Sequence, residues 1–225
     1  MLSTKFIQVI KHLRDEPLAL KKACPEMIKR LQSQGKTDSE GLGNKVTNHE
    51  AAFATVLETF GFVWIPKAKK NDHLKALPKE GYYYIYQVNG AQAAIDFEIM
   101  YIKDNTICES YKIDCKHSTN EKLMLNDGWF ESDVYYLFTW TSKKTVKCFI
   151  GTGNLFTSEE ERQFMREIRE KKHTLNSGKK FVGNLNVYWR CANQYNMKDF
   201  KATVEQTLVS LQSSLVEVGK LVEPV

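Results

Sequence analysis

The chain has 225 residues, a formal net charge of +5 and five cysteines, of which no two form a CxxC pair. Hydrophobic residues make up 42% of it and aromatic residues 12%, which supports a packed core and excludes a disordered chain, a disulfide framework and a zinc ribbon. With no leader-like N-terminus and no apolar run of bilayer length, the expectation is a cytoplasmic protein with reduced thiols and no membrane contact.

Phe6, Val9, Ile10 and Leu13 recur at helical spacing, and Pro17 ends that pattern. A short helix is expected over residues 26–32, with Gly35 as its stop and a polar loop over 36–45. Thr47 or Asn48 caps the next helix, which runs to Gly61. On it Glu50, Phe53, Ala54 and Leu57 share one stripe. An acid on an apolar stripe needs a partner or the partial solvation of a first helical turn.

A β meander follows. Residues 82–88 form an aromatic strand, Asn89-Gly90 is a hairpin turn, 92–102 form a second strand, Asp104-Asn105 turn the chain, and 106–116 form a third. Residues 133–140 read as a largely buried strand and 145–150 as another. Ser158 and Glu161 are spaced as a capping box for a charged helix to residue 172. Residues 179–190 read as a strand. A last helix starts near Asn196, with Phe200, Val204, Leu208, Leu211 and Leu215 on one face. The order predicts an α/β (α+β) fold, one domain with a central mixed sheet flanked by helices. Residues 1–45 form a helical N-terminal embellishment.

The chemistry concentrates on two strands. Side chains alternate along a strand, so Asp114 and Lys116 share a face opposite Ile113 and Cys115. Likewise Asp96 and Glu98 face away from Ile95, Phe97 and Ile99. If the strands are neighbours, Asp96, Asp114 and Lys116 converge. Two carboxylates suit Mg²⁺, which takes few protein oxygens and keeps waters and phosphate oxygens. The Cys115 backbone carbonyl can add one more oxygen, and Lys116 can orient or deprotonate a water or steady transition-state charge. Glu98 is an alternative to Asp96. The same residues would also suit the solvated outer face of an antiparallel sheet.

An acid on one strand, a (D/E)-x-K triplet on its hairpin partner and a glutamate on the preceding helix resemble the PD-(D/E)XK nucleases. The segments 113–118, 126–130 and 133–137 look like type II restriction endonucleases of that superfamily, and the resemblance covers roughly residues 48–140. Ile95 stands where the motif's name has proline. The resemblance implies a restriction-endonuclease-like sheet, Mg²⁺-dependent cleavage of double-stranded DNA and a homodimer. It makes Asp96 and Asp114 metal ligands, Lys116 the catalytic lysine and Glu50 the helix acid.

Groove readout needs Asn, Gln, Arg and Lys, while phosphate contacts set register. Residues 120–129, with Asn126, Asp127 and Trp129, and residues 173–196, with Lys179, Lys180, Arg190, Asn193 and Gln194, carry that chemistry. The sequence therefore points to a site-specific DNA endonuclease. The alternatives are a repair or junction-resolving nuclease of the same fold and a nucleic-acid-binding protein whose acids are structural.

Overall fold

The computed structural model describes residues 1–21, 23–34, 48–66, 80–87, 95–119, 122–126, 130–141, 146–178, 192–196 and 200–217. Three helices come first: α1 (Leu2–Asp15), α2 (Pro25–Gln34) and α3 (Asn48–Thr59), with a 3₁₀ turn over Pro17–Leu20. The strands β1 (Val63–Trp64), β2 (Gly81–Tyr86), β3 (Phe97–Lys103) and β4 (Thr106–Ser118) follow, then β5 (Lys122–Asn126), β6 (Val134–Thr141) and β7 (Val146–Thr152). The chain continues with α4 (Gly153–Phe156), α5 (Glu159–Gly178), β8 (Ala192–Asn196) and α6 (Phe200–Glu217). Among the described residues no helix is long and apolar enough to cross a membrane.

Six strands form one mixed sheet in the order β1-β2-β3-β4-β6-β7. The meander β2-β3-β4 is antiparallel, whereas β4 and β6 run parallel. A mixed sheet flanked by helices is therefore the architecture, as the sequence predicts. Strands β5 and β8 pair antiparallel as a separate ribbon. They, β1 and α4 are too short for periodicity to reveal.

Local chemistry explains the boundaries. Asp104 and Asn105 have φ of 50° and 57°, both left-handed, as a two-residue type I′ hairpin requires and as Asp and Asn tolerate. Gly61 at φ 78° ends α3 in a Schellman arrangement, the Phe62 N–H reaching the Leu57 carbonyl at 3.0 Å and the Gly61 N–H the Glu58 carbonyl at 2.9 Å. The capping box at α5 forms in both directions: the Ser158 N–H donates to Glu161 and the Glu161 N–H to the Ser158 hydroxyl. Strand β3 starts at Phe97, later than the sequence suggests, with Asp96 at a bend just before it. The expected loop over 36–45, the Asn89-Gly90 turn and the strand over 179–190 lie outside the described residues.

Helices α1 and α3 lie against the sheet, and their apolar faces join one core with it. Phe6 and Ile10 of α1, Phe53 of α3, Tyr84 and Tyr86 of β2, Phe97, Ile113 and Phe138 are all at most 1% exposed. Each such side chain contributes about 1.5–3 kcal/mol of hydrophobic stabilisation, so packing rather than helix propensity docks α3. That docking sets Glu50, in its first turn, beside the sheet. On α6, Val204, Leu208 and Leu211 are buried, and the Thr207 hydroxyl donates to the Ile150 carbonyl of β7 at 2.6 Å.

Candidate active site

The antiparallel ladder of β3 and β4 pairs Phe97 with Ile113, so Asp96, one residue earlier, comes beside Asp114. Two hydrogen bonds to the backbone of β4 hold it there. The Asp96 N–H donates to the Ile113 carbonyl at 3.1 Å, and the Cys115 N–H donates to Asp96 Oδ2 at 2.8 Å. On β4, Lys116 Nζ lies 2.6 Å from Asp114 Oδ1. The Asp114 side chain is 5% exposed and that of Lys116 28%, so the lysine reaches solvent while its partner does not. From α3, Glu50 presents a carboxylate that accepts the Tyr86 hydroxyl proton at 2.6 Å.

Burial first, and then the charges of Asp114 and Glu50, push the Asp96 carboxyl up to about 8, against the pull of the Cys115 N–H and Lys116. Burial also raises Asp114, opposed by the charge and hydrogen bond of Lys116. The two carboxyls thus favour sharing a proton, because like charges this close do not ionise together cheaply. Burial lowers Lys116, but Asp114, with help from Asp96, more than reverses this and leaves it raised. Lys116 is therefore a cation at neutral pH in this arrangement, a donor rather than a base.

Hard oxygen donors with surplus negative charge fit Mg²⁺, which needs only one or two protein carboxylates. Asp96 and Asp114 are the residues that could hold it, with the Cys115 carbonyl as a further oxygen. The Cys115 thiol is buried on the apolar side of β4 and is pushed well above its ordinary value by burial, so it offers no thiolate. Among the described residues no group of three His, Cys, Asp or Glu side chains stands ready to hold a metal ion by itself.

Glu98 stands opposite Lys112 in the ladder, and its charge acts on that lysine. Asp96, not Glu98, is thus the acid next to Asp114. His117 is exposed, stacks on His49 with ring centroids 5.1 Å apart and meets the Thr141 hydroxyl at 2.7 Å. Burial, then the charge of His117, takes the His49 imidazole down to about 4, partly offset by a hydrogen bond to the Cys115 backbone.

Of the residues expected to read DNA, Asn126 lies at the end of β5, while Asn193 and Gln194 lie on β8 opposite Leu125 and Met124. The two stretches with groove-reading chemistry thus meet in one ribbon, entered directly from the end of β4 that carries Lys116. Asp127, Trp129, Lys179, Lys180 and Arg190 lie outside the described residues.

Sequence reasoning does not find Tyr86, Gln87 or His49. Tyr86 sits in a run of tyrosines whose members look alike, and His49 is a lone histidine on a helix. Comparison with protein-family models, curated proteins and solved structures returned no match.

Proposed function

We propose that the chain is a Mg²⁺-dependent, site-specific endonuclease that hydrolyses phosphodiester bonds of double-stranded DNA and acts as a homodimer. The observation that carries this reading is the meeting of Asp96, Asp114 and Lys116 at adjoining strands, with Glu50 facing them from α3. Structural acids on a solvated sheet face would not need to be buried. Here Asp114 is 4% exposed and Asp96 is held near neutrality, an arrangement that costs stability and is typical of functional sites.

Bound Mg²⁺ would supply charge neutralisation at the scissile phosphate and a more acidic water. Asp96 and Asp114 would bind it and fix its position. Lys116, charged and partly exposed, would donate to the attacking water or to a phosphate oxygen, where negative charge grows in the transition state. The low exposure of the carboxylates would limit competing water and strengthen that electrostatic effect.

The β5–β8 ribbon supports duplex DNA as substrate. A two-stranded ribbon fits the major groove, and this one leaves the sheet beside the candidate site with Asn126, Asn193 and Gln194 on it. The excess of positive charge, +5 over the whole chain, suits a polyanion.

Incubation of plasmid DNA with the protein in Mg²⁺ and in EDTA tests the proposal. Discrete fragments with Mg²⁺ and intact DNA with EDTA are expected, while Asp114→Ala and Lys116→Ala should bind DNA but not cut it. Nicking confined to branched or damaged duplexes would favour a repair nuclease, and intact DNA under all conditions would refute the reading.

A further inference from the structure

Gln87 holds a backbone conformation that its side chain disfavours. Its φ is 51°, in the left-handed region, where a residue other than glycine costs about 1 kcal/mol or more and persists only if its surroundings compel it. Two contacts do so here. The Gln87 N–H donates to the Asp96 carbonyl at 2.6 Å, and its amide Nε2 donates to the Tyr86 hydroxyl at 3.0 Å. That hydroxyl in turn donates to Glu50 Oε2 at 2.6 Å. One strained residue at the end of β2 thus touches the segment of one site acid through its backbone and reaches another through a single intervening hydroxyl.

We propose that Tyr86 and Gln87 form a positioning relay that fixes the Glu50 carboxylate relative to Asp96, and so sets the spacing of the acids contributed by α3 and by the start of β3. The inference rests on the nuclease reading of this site. Neither residue touches the reacting atoms. Tyr86 is 1% exposed and its ring packs on Phe97, with centroids 5.1 Å apart, so the phenol has little freedom and its hydroxyl is aimed by the core. Glu50 sits in the first turn of its helix, and its flexible side chain would sample several rotamers without this donor. The second oxygen of the same carboxylate is 4.0 Å from His49 Nε2, beyond a hydrogen bond. Groups that orient functional side chains in this way typically matter roughly 10- to 100-fold for activity or metal affinity.

The test uses Tyr86→Phe, which keeps the packed ring and removes only the hydroxyl, and Gln87→Gly, which accepts the left-handed backbone and removes the whole side chain with its amide. Each is compared with Glu50→Gln and with the two double variants. Turnover of plasmid DNA in saturating Mg²⁺ should fall roughly 10- to 100-fold in each single variant. DNA affinity without metal should stay close to that of the parent, and each metal-free variant should remain folded at the assay temperature. Mn²⁺ affinity, followed by the electron paramagnetic resonance of the free ion without DNA, should weaken in both. Tyr86→Phe should have no further effect in the Glu50→Gln background, because the relay acts through that carboxylate. A parent protein that cleaves and binds Mn²⁺, with a Tyr86→Phe variant equal to it or additive with Glu50→Gln, overturns the relay alone. A parent that neither cleaves nor binds Mn²⁺ overturns the nuclease reading, and the relay with it.

Discussion

Replacing Asp96 by asparagine should make the metal-free protein more stable, and increasingly so as pH rises. The carboxyl ordinarily titrates near 3.8, and in the fold it is pushed up to about 8 by burial and by Asp114 and Glu50. Between those values the folded chain binds more protons at this group than the unfolded chain, so stability falls as pH increases through the window. At about 1.4 kcal/mol per pH unit, the span gives a loss of order 5 kcal/mol by pH 8, and nearly none at pH 4. Asparagine resembles the protonated acid: its carbonyl oxygen can still accept the Cys115 N–H, which lies 2.8 Å from Asp96 Oδ2, and it adds no charge beside Asp114. Urea unfolding in EDTA at a series of pH values would measure the difference between variant and parent, a comparison in which the titration of groups remote from the Asp96–Asp114 pair cancels. Excess Mg²⁺ should shrink the difference by stabilising the ionised pair of the parent. A difference that does not grow with pH, or that reverses sign, would refute the view that Asp96 is held uncharged by its neighbours.

The remaining predictions concern the groups around it. Lys116→Met removes the partner 2.6 Å from the buried Asp114 and should cost about 3 kcal/mol at neutral pH, the lower end for breaking a buried pair, because the lysine is itself 28% exposed; denaturant titration would show it, with a smaller loss in acid, where Asp114 can take up a proton. His49, brought down to about 4 by burial, binds fewer protons in the fold than unfolded between about 4 and 6.5, so it destabilises the protein as pH falls through that range. His49→Gln should remove up to about 3 kcal/mol of this acid sensitivity, measured as the change in unfolding free energy between the two pH limits. Gly153→Ala places a Cβ 2.2 Å from the Glu131 carbonyl oxygen. The backbone must shift to admit it, and a loss of about 2–3 kcal/mol is expected in thermal or denaturant unfolding.

Strand alternation, turn chemistry and capping are local, and each is legible from a few neighbouring residues. Asp104-Asn105 announces a hairpin, Ser158 and Glu161 announce a helix start, and the pattern around Ile113 to Lys116 puts acid and lysine on one face before any sheet is known. Those signals also place Asp114 and Lys116 together on β4, whereas Asp96 falls at a bend just before β3. Short elements escape, since the two residues of β1 and the five of β5 or β8 carry no period. Partner choice escapes too: the pairing of Leu125 with Asn193 joins segments far apart in the chain.

The distinction between Asp96 and Glu98 shows where local information ends. Both share a face in an ideal strand, so alternation treats them alike. Register decides between them, because pairing Phe97 with Ile113 brings Asp96 to Asp114 and leaves Glu98 opposite Lys112. Register depends on the summed burial of two strands and on the turn between them. From its residues alone, the chain specifies its class of fold and the kind of chemistry its third long strand can carry. The proximity of the acids, the raised Asp96 and Asp114 carboxyls and the Gln87–Tyr86–Glu50 contact arise only when α3 and the sheet close over a common core. Charge interaction and desolvation depend on distance through space, and chain separation does not encode that distance.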